Sequence, residues 1–386
     1  MDNRKILEET DRYSVEIREL RRTIHRHPEP GNGEYRTSGI VEDWLTDHGI
    51  KVKRVCGTGI IGTLEGAREG RTVALRADMD ALPVSEETGC GFASEVTGMM
   101  HACGHDVHTA ALLGAAAILA DHRDELKGRV VFLFQPDEEG RGGAQRMINA
   151  GCLEGVDAAL GAHVSPDLPE GSIGIRYGKF YAASDMFTVR VTGKSSHGAV
   201  REEGIDALAA AALMVTELIS LPQKVTPDRS VLTVGRLNAG AAGNIVPGFA
   251  EFEGIIRTLG PDSRLMMEEA FRETVRRISD LSRIQTEIIY IHSYPGIVND
   301  DLMTEFAGRS ASSLLGEERV YVIEEPVMTT EDFGYYLMKV PGTFWHIGAG
   351  SDEPLHSPAF LPTEQTVCDL AALHVRMAVD FLESGS

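Results

Sequence analysis

The stretch that decides the fold is Met100-His-Ala-Cys-Gly-His-Asp-Val-His-Thr109, in which three histidines, one cysteine and one aspartate fall within eight positions. Imidazole and thiolate groups at this density are typical of a site for a transition metal such as Zn²⁺, Mn²⁺ or Co²⁺. Gly104 lets the backbone bend between Cys103 and His105, so that both side chains can converge. The apolar run at 110–120 predicts a buried helix. An ordinary polar loop before a core helix is the alternative.

A short apolar run upstream ends in carboxylates. The run at 73–77 predicts a strand that leads directly into Asp78 and Asp80. Carboxylates at the C-terminal ends of buried strands lie where open α/β sheets place their sites. For Asp78 a solvated turn is an equal alternative. For Asp80 we expect a role in orienting a metal-bound histidine.

Two further strands are predicted downstream. The β-branched and aromatic run at 129–134 leads to Glu138 and Glu139, and the run at 158–162 ends at His163. Two adjacent glutamates near a core are costly to bury without a partner, and a metal would supply one. If the three strands are parallel neighbours, their terminal groups meet the histidine-rich stretch at one edge of the sheet.

The pattern changes between residues 183 and 293. Strands and amphipathic helices follow one another there in the order β-α-β-β-α-β, the arrangement of ferredoxin-like domains. We therefore expect an α/β protein in which residues 183–293 form an inserted α+β domain. Residues 1–182 and 294–386 would together form a catalytic domain around a mixed sheet.

Composition excludes several classes of function. The 386-residue chain has a formal net charge of −21, which argues against a nucleic-acid surface. It contains no stretch approaching the ~18 apolar residues of a spanning helix, and its N-terminus lacks the apolar region of a signal peptide. Five scattered cysteines favour a reduced, cytoplasmic chain.

Other polar residues fit ordinary structural roles. His25 and His27 fit the polar end of an opening helix better than a metal site. The pattern at 330–337 predicts a helix with Glu331 and Asp332 in its first turn, where the helix dipole favours acidic side chains. We therefore leave these two carboxylates out of the expected site.

Taken together, these residues resemble the M20 metallopeptidase family. They resemble especially its amidohydrolase branch, which includes hippurate, N-acyl-amino-acid and indole-acetyl-amino-acid hydrolases. The matching motifs run along nearly the whole chain and are LRRTIHRHPEPG, LRADMDALP, MHACGHDVHTA, FQPDEEGRGGA, GAHV, GKSSHGA, NIVP, IIRT, TTEDFG and PLHSPAF. The chain departs from the usual pattern at 200–207, where many relatives have a proline and often a histidine. The substrate preference of better-known relatives therefore does not carry over.

The resemblance implies a di-metal catalytic domain and a ferredoxin-like lid or dimerisation domain. It implies two divalent ions per chain (Zn, Mn, Co or Ni), with ligands at Cys103, His105, Glu139, His163 and His356. It also implies that Glu138 is the general base and that His197 stabilises the tetrahedral intermediate. Spacing alone favours a surface histidine for His197.

Two residues of the inserted domain are candidates for binding the substrate. Arg257 ends a predicted strand, and a guanidinium group is suited to bidentate recognition of a carboxylate. Asn244 follows a glycine-rich run and could act as a neutral donor beside it. A surface salt bridge is the alternative for Arg257.

The leading hypothesis is a metal-dependent amidohydrolase that cleaves the amide bond of N-acyl (acetyl, aroyl or similar) amino acids. Its partners would be a small N-acyl amino acid or a short peptide, with no nucleic acid and no membrane. A homodimer through the inserted domain stays open, as does the chain that supplies His197. The alternatives are a dipeptidase or aminoacylase of broader specificity, a thiol hydrolase with Cys103 as nucleophile, and a non-catalytic binding module.

Overall fold

The computed structural model describes residues 1–384 of the chain. Its α-helices are α1 (Asn3–Arg26), α2 (Tyr35–Asp47), α3 (His105–Asp121), α4 (Ala144–Asn149), α5 (Ala207–Ile219), α6 (Pro222–Val225), α7 (Pro261–Ser282), α8 (Asp301–Leu315), α9 (Gly334–Leu337) and α10 (Glu364–Glu383). Its strands are β1 (Lys51–Val55), β2 (Gly59–Glu65), β3 (Arg68–Asp78), β4 (Lys127–Gln135), β5 (Ala158–Ser165), β6 (Ile173–Ile175), β7 (Gly178–Tyr181), β8 (Ala183–Thr192), β9 (Ser196–His197), β10 (Ser230–Ala239), β11 (Ile245–Val246), β12 (Phe249–Thr258), β13 (Gln285–His292), β14 (Ile297–Asn299), β15 (Val320–Val322) and β16 (Gly342–Gly348).

The chain separates into two compact units. The first unit comprises residues 1–178, 299–324 and those from 335 onward, and the second comprises 179–298 and 325–334. Each unit has its own hydrophobic core. The domain boundaries expected from the sequence stay a prediction; the compact units divide the chain at slightly different residues.

The first unit is built on an eight-stranded mixed sheet. Its strand order is β1-β2-β4-β3-β5-β16-β6-β15. Strands β4, β3 and β5 are parallel neighbours, and β16 continues the parallel set beside β5. This confirms the predicted arrangement of the three strands that lead to the candidate ligands. Strand β5 runs on to Ser165, so His163 lies inside the strand and not beyond it.

Helix α3 is the centre of the first unit's core. Every residue from His105 to Ala120 is buried, because the helix is apolar all round apart from its first turn. Helices α1 and α10 pack against it. At the contact with α1, a Cβ on Gly114 would lie 2.4 Å from Cδ1 of Ile17, so glycine permits the close approach of the two helices. The N-terminal end of α3 is therefore held on a rigid support.

The second unit contains the predicted β-α-β-β-α-β arrangement. Its four-stranded sheet has the order β10-β12-β8-β13, and all three pairings are antiparallel. The strand order and the two helices α5 and α7 are those of a ferredoxin-like fold. Phe187, Phe252 and Phe271 form part of its core. Strands β9 and β11 form a separate short antiparallel pair.

The helix predicted at 330–337 is wrong over its first half. Helix α9 begins only at Gly334; Asp332 and Phe333 form a turn before it, and the amide of Phe333 donates to Oε1 of Glu331 over 2.9 Å. Glu331 and Asp332 are buried and are not exposed first-turn charges. No helix within residues 1–384 is long and apolar enough to span a bilayer.

Candidate functional site

The candidate site lies where β3, β4 and β5 end beside the first turn of α3. Gly104 precedes α3 with a φ of 80°, in the left-handed region that glycine adopts without strain. A Cβ at this position would lie 2.5 Å from Cγ2 of Val164, the residue that follows His163. Gly104 thus allows the loop carrying Cys103 to approach β5 closely.

His105 presents one ring nitrogen to the site and binds the protein with the other. Its Nδ1 lies 2.8 Å from the carbonyl oxygen of Asp80, which accepts a hydrogen bond. Its Nε2 is buried and has no hydrogen-bond partner. The Asp80 carboxylate accepts from the amide of Glu139 over 2.9 Å. Asp80 therefore contacts two of the predicted metal ligands, His105 through its backbone carbonyl and Glu139 through its carboxylate.

Cys103 and His163 form a second contact in the site. The Sγ of Cys103 lies 3.3 Å from Nε2 of His163. Nδ1 of His163 donates to the carbonyl of Val164 over 2.7 Å, so the lone pair on Nε2 faces the thiol. Both side chains are buried.

Glu139 and His356 meet on the other side of Cys103. Oε1 of Glu139 lies 3.1 Å from Nε2 of His356. His356 has a φ of 68°, and its amide donates to the carbonyl of Ala102 over 2.8 Å. This bond fixes the loop that carries His356 against the histidine-rich stretch.

The predicted metal-binding side chains are thus brought together. In three overlapping sets, each residue offers one donor atom that lies within 4.8 Å of those of the others; the sets are Cys103/His105/His163, Cys103/Glu139/His356 and His105/Glu138/Glu139. These sets contain all five predicted ligands and the predicted base. A mixed sulfur, nitrogen and carboxylate donor set suits a borderline transition metal.

The electrostatics of these residues fit bound cations. Burial, and then the charges of Glu139 and Glu138, raise the pKa of the Cys103 thiol well above its ordinary value. Burial lowers the pKa of His105, but Asp78 and Asp80 outweigh it and raise this pKa to about 10. Protons therefore compensate buried negative charge in the metal-free protein. Divalent ions would supply that compensation more directly, and Nε2 of His105, which makes no hydrogen bond, would bind one of them after losing its proton.

Asp78 is a buried residue, and the alternative of a solvated turn is wrong. Its carboxylate accepts from Arg76 over 2.6 Å and from Nδ1 of His108 over 2.6 Å. Burial would raise the pKa of Asp78, but Arg76, His105 and His108 lower it well below its ordinary value. An Arg two residues before an Asp in a strand is a usable signal, since the two side chains point to the same face.

Two histidines, His25 and His108, are buried against polar partners that were not predicted from the sequence. His108 lies one helical turn after His105, and this spacing was a signal that both face the site. His25 lies in the last turn of α1, as predicted, but it is fully buried. Its Nδ1 lies 2.9 Å from Asp106 and its Nε2 lies 3.2 Å from Glu86.

The second unit carries the other three candidates. His197 on β9 is exposed and lies opposite Ile245 of β11; its Nδ1 accepts from the amide of Ala199 over 3.2 Å. Asn244 is exposed, and its carbonyl accepts from the amide of Gly198. The half-buried Arg257 donates to Ser184 and has no carboxylate within 4.0 Å among residues 1–384, so the predicted alternative of a salt bridge is wrong there.

This fold and this donor set define a metal-dependent hydrolase of amide or peptide bonds. Residues 74–379 match the model of peptidase family M20/M25/M40, and the chain belongs to this family. N-acetyl-L-cysteine deacetylase of Bacillus subtilis (strain 168) is 36% identical over 369 residues, which cover 95% of this chain and 88% of that protein. IAA-amino acid hydrolase ILR1-like 4 of Arabidopsis thaliana is 36% identical over 94% of this chain and 85% of that protein.

A solved structure agrees over nearly the whole chain. The YXEP protein of Bacillus subtilis, described as a dinuclear metal binding peptidase from the M20 family, superposes with a TM-score of 0.87 and 35% sequence identity. The match covers 97% of this chain and 99% of that one. The predicted α/β fold, with a mixed catalytic sheet and a second antiparallel-sheet domain, is confirmed.

Proposed function

We propose that this hydrolase releases the acyl group from N-acyl amino acids and that it uses two divalent ions. The observation that carries the proposal is the convergence of three donor sets on one sheet edge, among them the buried Nε2 of His105, which makes no hydrogen bond. The named activities of the deacetylase and the IAA-amino acid hydrolase support the substrate class, since both act on acylated amino acids.

The five proposed metal ligands are Cys103, His105, Glu139, His163 and His356. Bound divalent ions would polarise the scissile carbonyl and lower the pKa of water. Thiolate, imidazole and carboxylate groups are compatible with Zn, Mn, Co and Ni alike.

Glu138 is proposed as the general base. Its carboxylate would accept a proton from the attacking water and then deliver it to the leaving amine. A positioned carboxylate of this kind contributes roughly 10²–10⁴ in rate. Glu138 is buried and belongs to one donor set with His105 and Glu139, which supports a place beside the reacting atoms.

His197 is proposed to donate a hydrogen bond to the oxyanion that develops on the substrate carbonyl. Because its Nδ1 accepts a bond from the Ala199 amide, the proton of the neutral ring lies on Nε2. The exposed Nε2–H is therefore a donor available to substrate. The inserted domain is proposed to act as a lid or dimerisation domain, so that His197 serves the site of its own chain or of a partner chain, and the protein is proposed to be cytoplasmic.

Arg257 is proposed to bind the free carboxylate of the substrate, with Asn244 as a second donor. Half-burial lowers the pKa of Arg257, and Asp185 partly offsets this. A guanidinium group that is partly desolvated and lacks a carboxylate partner gains from a bound anion.

The thiol-hydrolase alternative is disfavoured by the chemistry of Cys103. Nucleophilic cysteines have a lowered pKa, whereas burial and two glutamates raise the pKa of Cys103. A broader dipeptidase or aminoacylase activity stays the second candidate, because the YXEP protein is described as a peptidase.

The test compares Glu138→Gln with Glu139→Gln. We expect Glu138→Gln to keep about two ions per chain while losing at least ~10²-fold in kcat on N-acyl amino acids, since an amide does not accept the proton. Glu139→Gln should lose metal. Both variants are measured by elemental analysis and by a hydrolysis screen with metal-reconstituted protein, with Glu16→Gln at an exposed position of α1 as the control. A metal-free wild type with chelator-resistant activity would refute the proposal.

A further inference from the structure

We propose that His108 is a positioning residue that holds His163 in its ligating orientation and is not itself a metal ligand. This inference rests on the proposed function, which makes His163 a ligand. It concerns a residue that neither the family resemblance nor the proposed ligand set assigns. Asp78, His105 and His108 also form a donor set within 4.8 Å, so a metal-binding role for His108 has to be excluded on its hydrogen bonds.

Both ring nitrogens of His108 are used by the protein. The backbone amide of Val164 donates to Nε2 over 3.0 Å, so Nε2 carries no proton and its lone pair is occupied. Nδ1 must then carry the ring proton, and it donates to Oδ1 of Asp78 over 2.6 Å. Neither nitrogen has a lone pair left for an ion.

The backbone of Val164 links His108 to His163. Its amide is bound by His108, and its carbonyl accepts from Nδ1 of His163 over 2.7 Å. The bond to the carbonyl fixes the His163 tautomer and directs Nε2 toward Sγ of Cys103, 3.3 Å away. The rings of His108 and His163 lie 4.7 Å apart between centroids, inclined by 68°. His108 thus holds the backbone that orients the proposed ligand.

Nδ1 of His108 is held by a buried carboxylate, that of Asp78. Asp78 binds His108 with one carboxylate oxygen and Arg76 with the other, 2.6 Å in each case. All three side chains are at most 2% exposed, so water is not available to replace a lost bond. Removing the His108 ring would leave the Val164 amide buried without an acceptor. The backbone would then shift directly beside His163.

The test uses His108→Leu, His108→Gln and a control, His122→Leu. Gln keeps an acceptor and a donor on one planar group, whereas Leu keeps neither. His122 lies at the opposite end of α3 and bonds to Glu9 over 3.1 Å, so its loss perturbs the same helix away from the site. Affinity and stoichiometry for Zn²⁺ and Co²⁺ are measured by chelator competition on folded protein.

We expect His108→Leu to bind metal ~10–100-fold more weakly, the loss typical of a residue that orients a ligand. Saturating metal should restore the wild-type stoichiometry. His108→Gln should recover part of the affinity, and His122→Leu should match the wild type. A stoichiometry that stays one ion lower at saturation would make His108 a ligand and overturn the inference, as would unchanged affinity in His108→Leu.

A second readout does not depend on metal. In metal-free protein, hydrogen exchange at the Val164 amide should be at least ~10-fold faster in His108→Leu than in the wild type, relative to the amide of Leu160 in the same strand, and His108→Gln should fall between the two. Equal relative exchange in His108→Leu and the wild type would overturn the inference that His108 holds the Val164 amide. A wild type that binds no divalent ion would instead refute the proposed function and the ligand role of His163, while the exchange result still decides whether His108 holds Val164.

Discussion

Gly104 provides the sharpest test of how closely the site is packed. Its φ of 80° costs an L-residue about 1–2 kcal/mol, and a Cβ would lie 2.5 Å from Cγ2 of Val164. Overpacking of this kind costs a further ~1–3 kcal/mol. We therefore expect Gly104→Ala to lower the free energy of unfolding by about 2–5 kcal/mol, a large part of the 5–15 kcal/mol typical of a folded domain.

Two glycines of the same unit separate these contributions. Gly98 has a φ of 76°, and nothing lies within 4 Å of the point that a Cβ would occupy, so Gly98→Ala should cost only the backbone term of about 1–2 kcal/mol. Gly39 lies inside α2 with open space and ordinary φ, so alanine should stabilise there by about 0.5–1 kcal/mol.

Reversible urea unfolding gives the free energy of unfolding of all three variants. Metal-free protein is used because bound metal would itself stabilise the folded state. The order of stability should be Gly39→Ala, wild type, Gly98→Ala, Gly104→Ala. If Gly104→Ala and Gly98→Ala were equally stable, the contact with Val164 would carry no cost and the close packing described for the loop would be refuted.

Three further predictions follow from charges and ligands. The methyl ester of a good N-acyl amino acid substrate should lose ~10-fold or more in kcat/KM, and Arg257→Ala should lose as much on the acid but little more on the ester; equal wild-type rates would show that the carboxylate is not bound. Cys103→Ala should lower the metal content of purified protein, which elemental analysis would contradict if two ions remained. Burial lowers the pKa of His25, but Asp106 and Glu86 outweigh it and raise this pKa to about 9. Because this pKa lies above the ~6.5 of the unfolded state, the stability that His25 contributes should be full below about pH 6.5 and lost as the pH rises through 9. A stability difference between wild type and His25→Gln that does not shrink over this range would contradict the prediction.

The sequence predicts the meeting of the site residues well, because parallel strands bring their carboxyl ends to one edge of a sheet. Asp80, Glu139 and His163 are far apart in the chain, yet their positions after or within apolar runs place them together. The ferredoxin-like unit is predictable for a related reason, since its helices and strands have clear periods of about 3.6 and 2 residues.

What the sequence does not predict is which partner a buried polar group takes. His25 and Asp106 are 81 positions apart, and nothing local pairs them. The helix predicted at 330–337 was wrong over its first half for the same reason. Acidic residues after a threonine fit a helix start, but Glu331 and Asp332 are buried before Gly334, and their tertiary surroundings override the local preference.

Backbone strain distinguishes the ligands that rigid elements carry from those that loops carry. Five non-glycine residues have positive φ within residues 1–384, and two of them, Asp137 and His356, adjoin or belong to the proposed site. Such a conformation costs on the order of 1 kcal/mol or more and persists only where its surroundings enforce it. The amide of Asp137 is bound by Glu34, and the amide of His356 is bound by Ala102. His105 and His163 need no such enforcement, because α3 and β5 direct them. Asp137 and His356, the two strained residues at the site, therefore lie where a loop, and not a helix or strand, brings a carboxylate or an imidazole to the same point.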